Sequence, residues 1–205
     1  MSEYMSSAMD RIGDSSISSD QSQENAWIAE SQRGNAQAFN RLVLKREKSI
    51  YNLAFRMLRN REEAAEATQD VFLLAYKNIR GFRLGSRFST WLFKIALNHC
   101  ITRLRQRPPG VHLSLDDDSA VFHPAERLAV NGAQHGELLR LEQRRKVLEA
   151  LSRLLPEQQA VIELKFYQEL TFEEIAEVLG APLSTIKSRL YSGLEMMKVR
   201  LGRQD

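Results

Sequence analysis

The stretch Leu170–Met197, LTFEEIAEVLGAPLSTIKSRLYSGLEMM, restricts the fold of this chain more than any other. Thr171 and Glu174 have the spacing of a capping box, in which each side chain satisfies the other residue's backbone N–H at a helix start. Phe172, Ile175, Ala176 and Leu179 follow at helical spacing and predict a short helix with one apolar face. Gly180 stops it, because glycine enters the left-handed backbone region without a Cβ penalty. Pro182 stands where a second helix can begin. In that helix Leu183, Ile186, Leu190 and Leu194 are expected inward, and Ser184, Thr185, Lys187, Ser188, Arg189 and Ser192 outward. Two helices around a tight glycine turn, the second with an outer face of hydroxyls and cations, describe a helix-turn-helix. Lys and Arg can bridge phosphates or guanine edges, and short hydroxyls approach a nucleic-acid backbone closely. DNA contact is therefore expected at Ser184, Thr185, Lys187, Ser188 and Arg189; a solvated helical hairpin is the other reading of the same face.

The net charge of +3 hides a partition. Residues 24–107 carry 16 Lys and Arg against 7 Asp and Glu, whereas residues 108–142 carry 2 against 6. A basic block beside an acidic stretch is a common electrostatic footprint of nucleic-acid binding, although a basic soluble surface has the same signature. Residues 1–23 are rich in Ser, Asp and Gln and predict a disordered tail. From Glu24 to Arg107 the apolar spacing predicts a domain of several helices. Trp27 and Ile28 sit in a short helix ended by Gly34. Asn35 is placed to cap the next helix, and Arg59-Asn60-Arg61 breaks it. A third helix, Glu62 to Ile79, has Val71, Leu74 and Ala75 on its apolar face. Its other face carries Glu62, Glu66, Gln69 and Asp70, and charge alone leaves this open between a docking face for a basic partner helix and a solvated surface.

Arg80–Arg87 reads as a glycine-punctuated basic loop with one exposed aromatic, Phe82, and with Ser86 or Ser89 as cap of the following helix. That helix runs to about Arg107, with Phe88, Trp91, Leu92, Ile95, Ala96 and His99 on its core side. Arg87, Thr90, Lys94, Asn98, Thr102 and Arg105 form a second stripe of cations and hydrogen-bonding groups at spacings of three and four. Such a stripe beside a basic loop with an aromatic suits a single strand or a groove, where a base can unstack. Pro108-Pro109-Gly110 ends the domain, and residues 108–136, with Asp116-Asp117-Asp118, read as an acidic linker. The linker is either a solubilising tether or a mimic of nucleic acid inside a basic channel. Residues 137–205 complete a second helical domain, with Leu141, Val147, Leu148, Leu151 and Leu154 inward, Pro156 at a helix start, and Val161, Ile162 and Phe166 continuing the core. The fold class is thus all-α: two small helical domains joined by an acidic flexible linker, the second containing the helix-turn-helix.

The remaining signals are exclusions. The single cysteine, Cys100, forbids an internal disulfide and reads as a small buried hydrophobe in a reducing compartment. The histidines lack metal-ligand spacing, no run of about 18 apolar residues suggests a membrane span, and the N-terminal stretch, with no apolar core flanked by positive charge, does not read as a secretory signal. No nucleophile–base pair or phosphate-cradling glycine loop marks an enzyme, and no cofactor is expected.

Several motifs, taken in order, resemble the extracytoplasmic-function (group four) sigma factors of the bacterial sigma-70 class. Gly34-Asn35-Ala36-Gln37-Ala38-Phe39, Ala67-Thr68-Gln69-Asp70-Val71-Phe72 and Phe88-Ser89-Thr90-Trp91-Leu92-Phe93-Lys94-Ile95-Ala96-Leu97-Asn98 are similar to the family's second conserved region. Leu154-Leu155-Pro156-Glu157-Gln158-Gln159, Glu173-Glu174-Ile175-Ala176 and Ser184-Thr185-Ile186-Lys187-Ser188-Arg189-Leu190 resemble its fourth. The resemblance covers Asn25 to Leu201 and departs at Arg87, where the family usually has a small or acidic residue, and at Ala65-Glu66-Ala67. It implies docking of core RNA polymerase by Glu62, Glu66, Gln69, Asp70 and Phe72. It implies recognition and melting of the −10 promoter element, with capture of the non-template strand, by Phe82, Arg83, Arg87, Thr90, Lys94, Asn98 and Thr102. It further implies reading of duplex DNA at the −35 element by the Ser184–Arg189 face, a linker threaded through the polymerase, a cytoplasmic location, and an anti-sigma factor as a candidate partner. Without the resemblance, a two-domain regulator binding duplex DNA alone and a helical adaptor remain as rival readings.

Overall fold

The computed structural model describes residues 20–83, 86–107, 143 and 145–202. The expectations placed on residues 1–19 and on the linker, Asp116-Asp117-Asp118 included, lie outside the described residues. Among the described residues there are eight α-helices and no strand.

The first helix, α1, spans residues 20–32 and starts inside the stretch read as a tail. Its acids are held by α2 (Ala36–Leu58): Lys45 Nζ lies 2.8 Å from Asp20 Oδ1, and Arg46 grips the buried Glu24 at 2.7 Å. Gly34, at φ 96°, turns the chain, and the Asn35 side chain accepts from the backbone N–H of Gln37 and Ala38 as expected. Arg59 ends α2 in the left-handed region at φ 58°, and Asn60 caps α3 (Arg61–Asn78) by accepting from Glu63 N. A 3-10 turn, Ile79–Gly81, leads to α4 (Phe88–Gln106). The cap expected from Ser86 or Ser89 is absent: Arg87 occupies the cap position and makes no side-chain capping bond. Leu42, Leu53, Leu58, Val71, Leu92 and Leu97 are sealed from water between these helices. Cys100 joins them, and burial pushes its thiol pKa up to about 12.

The second module contains α5 (residues 145–152), α6 (Pro156–Ile162), a π-helical turn (Glu163–Tyr167), α7 (Phe172–Leu179) and α8 (Leu183–Leu201). Pro156 opens α6, and the Gln158 side chain accepts from Leu155 N. The Thr171/Glu174 capping box forms with both hydrogen bonds, at 3.2 and 2.8 Å. Gly180 takes φ 60° between α7 and α8. Gly193 has a different reason: a Cβ there would stand 3.2 Å from Ile162 Cδ1, so its hydrogen lets α8 cross α6 closely. Two inward assignments of this module fail, as does that of Leu74 on α3, which is exposed because its position turns out of the interhelical core. Phe166 is exposed because the π turn rotates it out of the core, and Leu183 sits exposed at the first position of α8. The modules touch: α6 and α7 lie against α4, and α6 also against α2.

Candidate nucleic-acid interface

Helix α4 divides the polar stripe into three parts. Lys94, Asn98 and Thr102 are exposed and line an open groove of about 750 Å³, bounded across α3 by Leu74 and Asn78 and at its end by Gly81 and Trp91. Thr102 Oγ1 donates to Asn98 O at 2.8 Å, so towards a ligand this hydroxyl offers only lone pairs. The Asn78 amide similarly donates to Leu74 O, 2.7 Å away. Lys94 and Asn98 are the exposed donors midway along the groove, and Gln106 adds an exposed amide to its lining. Arg87 and Arg105, at the two ends of α4, reach across to the other module instead: Arg87 Nη1 is 3.4 Å from Glu174 Oε1, and Arg105 Nη2 hydrogen-bonds Glu157 Oε1.

Two residues expected at the interface lie in the core. Phe82 is 5 % exposed and packs edge-on against Phe88, with ring centroids 5.7 Å apart, and beside Trp91 at 5.2 Å. Thr90 is also 5 % exposed, because its position on α4 faces inward. The signal missed in the sequence is Gln32 of α1. Its amide donates to Ile79 O at 3.0 Å and Phe82 O at 2.7 Å, clamping the 3-10 turn and tucking Phe82 inside. The aromatic left at the groove is half-buried Trp91. Arg83 is exposed on the loop.

The acidic face of α3 has internal partners. Arg103 donates to Glu66 Oε2 at 3.3 Å and to Asp70 Oδ2 at 3.1 Å, and Arg107 Nη2 reaches Glu63 Oε2 at 2.5 Å. Burial, aided by the Arg103 charge and opposed by Asp70, lowers the pKa of His99 beside them. Glu62 and Gln69 remain exposed. Phe72 lies in the core, 8 % exposed, so it cannot present its ring to a partner. On the helical continuation of Glu62, Glu66 and Gln69 stands Leu73, an exposed leucine that charge patterning could not select.

In the helix-turn-helix, Ile186 and Leu190 anchor α8, and Ser184, Lys187 and Ser188 face water. Lys187 and Lys165 both lie over the Phe172 ring, 5.6 and 5.0 Å from its centroid. Thr185 and Arg189 are half-buried. Arg189 lends charge to Glu157: partial burial opposes ionisation there, but the Arg105 hydrogen bond, the backbone amide and the two arginine charges together hold the carboxyl below the usual glutamate range. Among the described residues no His, Cys, Asp and Glu group is arranged to hold a metal ion, and no helix is long and apolar enough to cross a membrane.

An all-helical pair of modules, one with a cation-lined open groove and one with a helix-turn-helix, is the arrangement of a promoter-recognising transcription factor. Family comparison gives the particular class: residues 42–108 match Sigma-70 region 2, and residues 144–197 match Sigma-70, region 4. The chain is 31 % identical over 176 residues to the ECF RNA polymerase sigma factor SigW of Bacillus subtilis, covering 85 % of this chain and 94 % of that one. It is 31 % identical over 179 residues to the RNA polymerase sigma-H factor of Pseudomonas aeruginosa, covering 85 % and 92 %. Among solved structures, CnrH in complex with the cytosolic domain of CnrY superposes with a TM-score of 0.64 at 22 % identity, covering 89 % of this chain and 99 % of that one. The sigma factor RpoE of Bartonella quintana, solved with the anti-sigma factor NepR, gives 0.59 at 23 %, covering 80 % and 96 %. The chain belongs to the extracytoplasmic-function sigma factors of the sigma-70 family, through which RNA polymerase initiates transcription at chosen promoters. Sigma factors are not enzymes, and the family fixes core RNA polymerase and promoter DNA as the partners.

Proposed function

We propose that the α4 groove captures the melted non-template strand at the −10 element while the Ser184–Arg189 face of α8 reads the −35 duplex. The observation that carries this reading is the exposed run Lys94–Asn98–Thr102 beside Trp91, along an open groove with room for unpaired nucleotides. Lys94 supplies charge to a phosphate, Asn98 an amide for a base edge, and Trp91 an aromatic surface. The magnitudes are compatible. Unstacking a base costs a few kcal/mol. Stacking on an aromatic returns about 1–3 kcal/mol per base, so one stacked base plus phosphate contacts offsets melting without nucleotide hydrolysis. Arg83 adds loop charge, and Arg87 joins when its contact with Glu174 opens.

Core polymerase docks, in this reading, on the exposed part of α3 formed by Glu62, Glu66, Gln69 and Leu73, with Asp70 holding Arg103 in place. The protein performs no chemistry of its own and works in the cytoplasm, where the chromosome is. An anti-sigma factor is a further proposed partner, by extension from the RpoE complex. Transcription in vitro from genomic fragments, with core polymerase and with or without this chain, tests the whole reading. New start sites whose upstream thymines become permanganate-reactive only when the chain is present are the expected result. Tight promoter binding without polymerase, and no new start sites with it, would favour a stand-alone duplex regulator.

A further inference from the structure

We infer that the two modules latch onto each other through a buried ion pair, Arg56–Glu163, and that this closed state withholds α4 cations from nucleic acid. The pair spans 107 positions of sequence and joins α2 of the first module to the π turn of the second. It is bidentate, with Arg56 Nε 2.6 Å from Glu163 Oε2 and Nη2 2.5 Å from Oε1. Both side chains are about 5 % exposed or less. The guanidinium also lies 4.3 Å from the centre of the Tyr167 ring. Gln168 Nε2 donates to Glu163 Oε1 at 3.0 Å, and Ser49 Oγ of α2 donates to Gln168 Oε1 at 3.3 Å. The π turn is the device that makes this possible: it widens the helix where α6 ends and places Glu163, Tyr167 and Gln168 together against α2.

A bidentate pair inside an intermodule seam behaves differently from one inside a single core. Each charge gave up its water to enter the seam, and each regains it when the modules part. Coulombic gain and desolvation largely cancel, so the pair fixes one docking geometry without making separation prohibitive. In that geometry Glu174 faces Arg87 and Glu157 faces Arg105, which puts a carboxylate where a phosphate would otherwise sit at each end of α4. Glu157 also feels Arg189, a cation of the proposed −35 surface, so it stands between that surface and the C-terminal end of α4. The occlusion rests on the proposed −10 and −35 reading; the latch itself does not.

The test uses the full chain with fluorophores on Lys77→Cys and Glu195→Cys, both exposed positions. Cys100 is fully buried, out of reach of the label. Intermodule distance is read by energy transfer without DNA, and affinity for a forked promoter DNA is read without polymerase. Glu163→Gln is expected to lengthen the distance, and Arg56→Glu/Glu163→Arg to restore the short one. If open molecules are about a tenth of the wild-type population, Glu163→Gln tightens fork binding about tenfold. An unchanged distance in Glu163→Gln overturns the latch, and a longer distance with unchanged affinity overturns the occlusion. A second arm removes no buried charge: Ser49→Cys and Gln168→Cys, joined by a short cleavable bis-maleimide, hold the modules shut. The joined protein is expected to lose fork binding and recover it on cleavage; fork binding that persists while joined overturns the occlusion. Failure of wild type and open variant alike to start transcription with core polymerase strikes the proposed function and leaves a lengthened distance standing as support for the latch.

Discussion

On the proposed reading, Arg189 serves two states. In the closed protein Arg189 contributes to the field that, with Arg105, keeps Glu157 ionised despite partial burial. With −35 DNA in place, the same half-buried guanidinium can turn towards a base edge, where a good bidentate contact discriminates by about 1–3 kcal/mol. Arg189→Ala is therefore expected to cut transcription from promoters with a −35 match more than from promoters without one; equal loss on both, measured in the same reaction, removes the base-reading role. Glu157 gives a pH signature. Its folded pKa lies below its unfolded value of about 4.5, so its contribution is complete above that value and disappears as pH falls through the lowered folded pKa. Acid unfolding followed by circular dichroism should be shallower on this limb in Glu157→Gln than in wild type. An identical acid limb in the two proteins would mean that the Arg105 contact adds nothing to stability.

At the scale of the element, the two helices proposed to face DNA differ in how far the sequence discloses them. The boundaries of α7 and α8 are legible because their determinants are local: a capping box at Thr171 and Glu174, a left-handed glycine at 180, and a proline before α8. On α4 the helix is legible and its faces are only partly so. Lys94, Asn98 and Thr102 are exposed as the spacing implies, yet Thr90 on the same stripe is buried, because a stripe this wide wraps into the core. Phe82 could not be read correctly from its neighbours, since the Gln32 clamp that buries it comes from 50 residues away in the chain. Phe72 and Phe166 exchange places with expectation for the same reason: packing between helices sets their exposure, and one-helix periodicity does not contain it. The groove residues carry a separable prediction. Asn98→Ala or Lys94→Ala should reduce permanganate reactivity of the −10 thymines while leaving affinity for core polymerase within about twofold, because neither side chain lies on α3 or on the seam and surface changes usually stay within about 0.5 kcal/mol. Unaltered thymine reactivity would show that strand capture occurs elsewhere.

At the scale of the whole molecule, the two modules were legible as separate units and their contact was not. Charge partition and the Pro108-Pro109-Gly110 break divide the chain, but nothing local marks Arg56 as the partner of Glu163. Both read as ordinary charged residues within helices until the π turn brings them together. The contact has a thermodynamic consequence that differs from that of a charge pair within one core. Removing one partner while the seam stays shut strands a bare buried charge, at a cost of about 3–5 kcal/mol. That cost would exhaust a large share of the 5–15 kcal/mol typical of a domain. Here the molecule has an alternative, because parting the modules returns Arg56 to water, at the cost of exposing the apolar surface that the two modules bury against each other in one continuous core. Calorimetry should therefore resolve the wild type as one dominant transition, with the modules melting together. Glu163→Gln should split it into two transitions of lower individual enthalpy, with helix content at 25 °C preserved. Raised salt should not mimic the variant: it screens the exposed Arg87–Glu174 contact, whereas a pair this deeply buried is screened far less. A Glu163→Gln protein that still melts in a single transition at an unchanged temperature would mean that the seam is held by apolar packing of α6 and α7 on α4, with the ion pair a passenger within it.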